Sequence, residues 1–174
     1  MRKSVALLLI LAAGTAGSVA AQSGPPKPPN VCPSSAERHR FDFWIGTWDV
    51  KTPAGGLAGH SVVQSISGGC AMLENWTSAG GGQGKSINAF NPANKQWQQY
   101  WIGQDGNPTE YRESTFDGKS IAFVARNGAT VQRLTFTPLE DATVRQFGEI
   151  SQDGGKTWKT TYDFRYHKTG PAPQ

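Results

Sequence analysis

The stretch FDFWIGTWDV at residues 41–50 decides how this chain of 174 residues folds. It contains four aromatic side chains and a Gly-x-Trp step from Gly46 to Trp48. About nine short segments of alternating apolar and polar residues follow it, and Gly, Asn, Asp or Pro ends each one. This pattern predicts a small β-barrel with an aromatic-rich interior.

Turn sequences join the alternating segments and leave no room for crossover connections. Asp117-Gly118 and Asn127-Gly128 are strong hairpin turns. So many strands exceed what one half-exposed sheet can carry, and closing the sheet removes its edges. We predict an all-β fold, a single antiparallel up-and-down meander barrel of about 9–10 strands with one short N-terminal helix near residues 35–40. A two-sheet sandwich is the alternative.

The last predicted strand separates two faces. Its polar set, from Lys159 to His167, is expected to face solvent. Period-two alternation places the other set inside the barrel: Trp158, Thr160, Tyr162, Phe164 and Tyr166.

The two ends of the chain differ in composition from the middle. Arg2 and Lys3 precede an apolar run at residues 5–13 that is too short to span a bilayer, and small residues follow it. We predict a signal peptide at residues 1–21, a Pro-rich tether at 22–34, a barrel domain at 35–168 and a disordered tail at 169–174. An uncleaved membrane anchor is the alternative for the first segment.

Charge and the signal peptide constrain the partners and the location. The chain has 17 basic and 13 acidic residues, and loss of the signal with Arg2 and Lys3 lowers its net charge from +4 to +2. The basic residues are scattered singly, which disfavours nucleic acid as a partner. We expect a periplasmic or secreted protein with no stable membrane insertion after signal cleavage.

Cys32 and Cys70 are the only cysteines. In an oxidising compartment two cysteines commonly pair. We predict a disulfide that fastens the arm ahead of the first strand to the start of a central strand. The alternative is two free thiols, with Cys70 buried as a small apolar residue.

Several residues are candidates for a binding site inside the barrel. Trp97, Gln99 and Trp101 share one strand face, where two indoles flank an amide, and such a face either lines a pocket or packs as core. Polar side chains inside a barrel are costly unless they bond to one another, to water or to a ligand. Strand parity alone does not fix their face, because one bulge reverses it. The candidate ligand-binding residues are Glu74, Trp76, Asn88, Trp97, Gln99, Trp101, Gln146 and Glu149.

The remaining motifs point to no catalytic or metal site. Residues 151–158, SQDGGKTW, match the Asp-box pattern of sialidases, where the box is structural, so we predict a rigid hairpin. The three histidines lack partners at a metal-ligand spacing, and no serine lies in a nucleophile elbow. We therefore predict no metal, no cofactor and no catalytic residue.

As an ordered set, the motifs resemble a family of secreted bacterial proteins of unknown function that is described as lipocalin-like. The resemblance spans roughly residues 36–168, and Gly46-x-Trp48 resembles the lipocalin signature. It implies a barrel like those of lipocalins and fatty-acid-binding proteins, which carry small apolar ligands, and it implies no catalytic residue. Members often have His in place of Gln98 and Trp in place of Phe136. The motifs are residues 41–50, Gly68-Gly69-Cys70 with Leu73-Glu74 and Trp76, WQQYW at 97–101, TFTP at 135–138, Val144-Arg145-Gln146 and the Asp box.

Together these features favour a binding protein over an enzyme. The expected function is a secreted or periplasmic, lipocalin-like binder of a small, partly apolar molecule. One alternative is a barrel hydrolase or isomerase with Glu74 or Glu149 as general base. Another is a structural or interaction module of the cell envelope.

Overall fold

The computed structural model describes residues 32–173. The predicted signal peptide and the tether as far as residue 31 lie outside these residues. The described chain begins with a short helix, α1 (Ala36–His39), and a 3-10 turn (Asp42–Trp44), and a second 3-10 turn (Ser67–Gly69) follows later. The strands are β1 (Gly46–Lys51), β2 (Leu57–Ile66), β3 (Ala71–Ser78), β4 (Gln83–Asn91), β5 (Gln96–Gly103), β6 (Pro108–Phe116), β7 (Ile121–Asn127), β8 (Thr130–Pro138), β9 (Val144–Ser151) and β10 (Lys159–Gly170).

The ten strands close into one antiparallel up-and-down barrel. Each strand pairs with its neighbours in sequence, and β1 pairs with β10, so that Val50 lies opposite Tyr166. The predicted meander barrel with one short helix is confirmed, and the two-sheet sandwich is excluded.

The N-terminal segment fills one end of the barrel. Phe41 and Trp44 are completely buried. The ring of Phe41 lies 5.6, 5.4 and 5.0 Å from the rings of Trp97, Phe123 and Phe136 respectively. We call these five residues the aromatic plug. The first part of the FDFWIGTWDV stretch therefore forms the plug, and the strand itself begins only at Gly46.

The predicted disulfide is present at the plugged end. Cys32 and Cys70 are bonded, with their Cα atoms 5.1 Å apart. The amide of Cys32 also donates a hydrogen bond of 3.2 Å to the carbonyl of Gly68. The bridge thus fastens the chain ahead of α1 to the turn that precedes β3, and it fits an oxidising compartment.

The prediction for the last strand needs one correction. Tyr162, Phe164 and Tyr166 face the interior, but a register shift between Thr160 and Tyr162 reverses the alternation before them. Thr160 is therefore exposed and lies opposite Glu149, and Trp158 packs on the outer face, 4.1 Å below the guanidinium of Arg133. The assignment of Trp158 and Thr160 to the interior was wrong.

Residues 169–173, the described part of the predicted tail, lie next to the barrel strands. β10 continues to Gly170, two residues beyond the predicted end of the domain. The carbonyl of Pro171 accepts a hydrogen bond from Thr47, and that of Pro173 accepts one from Gln64. The described part of the predicted tail therefore lies against β1 and β2.

The Asp box forms the hydrogen-bonded hairpin that its sequence predicts. The Asp153 carboxylate accepts from the amides of Lys156 and Thr157 and from the Thr157 hydroxyl. These bonds, led by the Thr157 hydroxyl, hold the pKa of Asp153 well below its usual range. No helix within residues 32–173 is long and apolar enough to cross a membrane.

Replacing either cysteine by serine should lower the free energy of unfolding by about 2–4 kcal/mol while the barrel still folds, because the unfolded chain gains loop entropy. Urea denaturation of Cys32→Ser and Cys70→Ser measures this loss. Reducing agent should destabilise the wild type by the same amount and leave both variants unchanged. A variant as stable as the oxidised wild type would show that the bridge does not constrain the fold.

Candidate functional site

The half of the barrel away from the plug contains a cavity of about 460 Å³. This volume lies within the range of small-molecule sites, which are usually a few hundred Å³ or more. The lining residues come from seven strands, β2, β3, β5, β6 and β8 to β10: Ala58, Glu74, Trp76, Ser78, Gln99, Trp101, Thr109, Tyr111, Gln132, Leu134, Gln146, Tyr162, Phe164 and Tyr166.

Four aromatic rings form much of the cavity wall. Phe164 stacks on Tyr162 at 4.8 Å and on Trp76 at 6.1 Å between ring centroids. Trp101 lies on β5, across β4 from Trp76. Flat apolar faces of this kind hold an aromatic or aliphatic body by dispersion and burial.

Three glycines inside strands leave space for three of these rings, those of Trp76, Trp101 and Tyr162. A Cβ at Gly59 would lie 2.7 Å from the Trp76 ring, and one at Gly148 would lie 2.5 Å from the Tyr162 ring. A Cβ at Gly84 would overlap the ring of Trp101. Because these strand positions carry no side chain, each ring lies over a neighbouring backbone.

Glu74 is the one carboxyl group in the cavity lining. It is 3% exposed, and its two oxygens accept hydrogen bonds of 3.0 and 2.9 Å from Ser61 and Ser86 respectively. Within residues 32–173 it has no ion-pair partner, and the lining contains no Lys, Arg or His. Burial raises the pKa of Glu74 from 4.5 to about 7, against the opposing effect of the two serines.

A chain of amide and hydroxyl groups leads to this carboxyl. Gln99 donates through Nε2 to Asn88 Oδ1 at 2.8 Å, and Asn88 donates through Nδ2 to Ser86 Oγ at 2.9 Å. Ser86 in turn donates to Glu74. Every bond in the chain points towards the carboxyl, so the bonds polarise one another in the sense that favours its ionised form.

Two tyrosine–glutamine pairs also belong to the polar part of the lining. Tyr111 donates to Gln132 Oε1 at 2.7 Å, and Tyr166 donates to Gln146 Oε1 at 2.8 Å. Burial raises the pKa of Tyr111 to about 12 and those of Tyr162 and Tyr166 well above the usual value, so all three hydroxyls are neutral at pH 7.

The barrel wall is interrupted next to the cavity. The β6–β7 ladder ends at the pair Arg112–Val124, although β6 begins at Pro108 and β7 continues to Asn127. A cleft of about 660 Å³ lies between the separated strand ends. Thr109 and Gln132 line both the cleft and the cavity, so the cleft runs beside the interior site.

Five of the eight candidate residues lie together in the cavity lining: Glu74, Trp76, Gln99, Trp101 and Gln146. Asn88 is one layer deeper, where it connects Gln99 to Ser86. Trp97 shares the inner face with Gln99 and Trp101, but it packs in the aromatic plug and its Nε1 donates to the carbonyl of Glu37. Helix α1 covers Trp97 at this hydrogen bond, and Trp97 does not line the cavity.

Glu149 lies apart from the other candidates. It forms an ion pair of 2.8 Å with Arg133, which also lies over Trp158 on the outer face of the barrel. Arg145, Phe147 and Glu149 share the outer face of β9, because Gln146 on the alternate face lines the cavity. The position of Glu149 therefore does not support a role in an interior site.

Sequence reasoning did not select several residues of the lining. Tyr162, Phe164 and Tyr166 were expected inside but were not assigned to a site. Tyr111 and Gln132 carried no motif, and only their place on period-two strands gave a signal. Within residues 32–173, no three His, Cys, Asp or Glu side chains are grouped as a metal site requires.

Replacing Glu74 by Gln should change how stability depends on pH. Because the folded-state pKa lies above 4.5, the native protein holds the proton more tightly than the unfolded chain does. The wild type should therefore lose up to about 3 kcal/mol of unfolding free energy as the pH rises from about 4.5 to about 7. Glu74→Gln should lack this loss.

Urea denaturation of both proteins across this pH range measures the difference, and Glu140→Gln on an exposed loop is the control. If the wild type and Glu74→Gln show parallel pH profiles, burial does not perturb this carboxyl.

A comparison with known protein families finds none that matches this chain, and no curated protein matches it.

Proposed function

We propose that the protein is a lipocalin-like binder that holds a small, partly apolar molecule inside the barrel. The observation that carries this proposal is the cavity of about 460 Å³, which is lined by both aromatic and polar side chains. A barrel that needed only to be stable would gain from filling this space, because cavities cost unfolding free energy. The apolar faces of Trp76, Trp101 and Phe164 suit the body of the ligand, and Glu74, Gln99 and Gln146 suit its polar group.

The proposed location is the periplasm or the exterior of the cell. The Cys32–Cys70 bridge supports it, since structural disulfides persist in oxidising compartments. The resemblance to secreted lipocalin-like bacterial proteins is part of the same proposal. The alternative of a purely structural envelope module would fit a filled barrel better than one with a cavity.

The neutral dye N-phenyl-1-naphthylamine, which brightens in apolar sites, tests for the cavity site. Its fluorescence should rise and saturate on titration with the wild type. Leu134→Trp, which fills part of the cavity, should weaken binding by about tenfold or more. Leu57→Trp makes the same change at an exposed position outside the lining and should bind as the wild type does. Equal binding by the two variants would place the dye elsewhere.

The second candidate function is an enzyme that uses Glu74 as general base. Glu74 lies in the cavity without a cationic partner among the described residues, and its pKa near 7 suits proton transfer at neutral pH. Small ketones in D₂O, followed by NMR, test for proton abstraction next to a carbonyl, and small esters test for hydrolysis. Any turnover should increase as the pH rises through about 7, disappear in Glu74→Gln and persist in Glu140→Gln. Turnover that survives in Glu74→Gln would contradict this role.

A further inference from the structure

The cavity lining contains one acidic side chain and no basic one, and this difference suggests the kind of molecule that fits. Glu74 contributes one carboxyl, and the lining contains no basic side chain. On the other strands, the polar residues of the lining and of the hydrogen-bond network are neutral: Ser61 on β2, Ser86 and Asn88 on β4, Gln99 on β5, Thr109 and Tyr111 on β6, Gln132 on β8, Gln146 on β9, and Tyr162 and Tyr166 on β10.

The hydrogen bonds around Glu74 also favour the anion. Ser61 donates to one oxygen, and the chain from Gln99 through Asn88 and Ser86 ends on the other. A carboxylate can accept about four hydrogen bonds, so each oxygen keeps a lone pair that can accept from one more donor. Within residues 32–173, the Gln99 Oε1 atom accepts no side-chain hydrogen bond, and it adds a second acceptor at the cavity surface.

The aromatic wall adds to the same preference. The rings of Trp76 and Trp101 line the cavity, and the face of such a ring carries the negative part of its quadrupole. A cation near such a face is attracted, and the attraction grows where water is excluded. A positive charge in the cavity is therefore favoured by the Glu74 carboxylate, by the Gln99 amide oxygen and by the ring faces.

We propose that the ligand is a lipophilic cation, a molecule with an aromatic or aliphatic body and a protonated amine or quaternary ammonium group that lies against Glu74. This inference rests on the proposed binding function and specifies its ligand class. The body of the ligand packs against Trp76, Trp101 and Phe164, and its nitrogen neutralises a buried charge that otherwise has no counter-ion. Binding is linked to pH, because the ligand favours ionised Glu74 and so releases its proton.

Two probes with the same naphthylmethyl body test the charge preference. One is the quaternary ion (1-naphthylmethyl)trimethylammonium, whose charge does not depend on pH, and the other is neutral 1-naphthalenemethanol. By isothermal titration calorimetry at about pH 8, the ion should bind the wild type about ten to a hundred times more tightly than the alcohol. Glu74→Gln should reduce this ratio about tenfold or more, and Glu140→Gln should preserve it.

A pH series on the wild type supplies a second measurement that needs no variant. As the pH falls from about 8 to about 5, Glu74 takes up its proton and the preference for the ion should fall about tenfold or more, while the affinity for the alcohol stays constant. This series decides the question even if Glu74→Gln does not fold.

The outcomes separate this inference from the proposed function. If the alcohol and the ion bind equally at every pH, or if Glu74→Gln keeps the preference, Glu74 does not select a cationic ligand, although the cavity still binds small molecules. If neither probe binds and N-phenyl-1-naphthylamine also fails to bind, the proposed binding function is wrong.

Discussion

The packing of Phe41 and Trp44 into one end of the barrel is the constraint on which the rest of the structure depends. A closed barrel of ten strands has more interior space than its own strand side chains fill. The N-terminal segment fills one end with Phe41, which contacts Trp97, Phe123 and Phe136. The Cys32–Cys70 bridge keeps the start of that segment in place. Because the plug supplies a dense core at one end, the other end tolerates a cavity without loss of the fold.

Between the plug and the cavity lies a polar layer, formed by Glu74, Ser61, Ser86, Asn88 and Gln99. Well-packed apolar side chains at these positions would stabilise the barrel more than a buried carboxyl without a counter-ion does. Residues that lower the stability of the fold are concentrated at functional sites, where binding or chemistry requires them. The cost of burying Glu74 is therefore a second indication of a site, in addition to the cavity.

Period-two alternation and turn residues were sufficient to predict the barrel, because every connection in it is a short hairpin between neighbouring strands. The same alternation correctly grouped Trp97, Gln99 and Trp101, yet it could not show that Trp97 lies in the plug and Trp101 beside the cavity. That distinction depends on how far along the barrel axis each residue lies. Alternation also could not place Glu149 on the outer face, since it separates two faces without stating which is the inner one. The packing of aromatic rings over Gly59, Gly84 and Gly148 depends on the strand register and on residues of neighbouring strands. The sequence of a single strand does not contain this information.

The direction of the hydrogen bonds distinguishes the two roles considered for Glu74. A general base must accept a proton on a carboxylate oxygen and later release it, and both oxygens here already accept bonds from serine hydroxyls. Protonation weakens those bonds, and through Ser86 it also weakens the polarised chain that begins at Gln99. A counter-ion at the same carboxylate leaves all of these bonds intact and offsets the cost of burial. The network therefore favours a Glu74 carboxylate that stays ionised beside a counter-ion, and it disfavours one that is repeatedly protonated. This supports binding of a cation rather than catalysis.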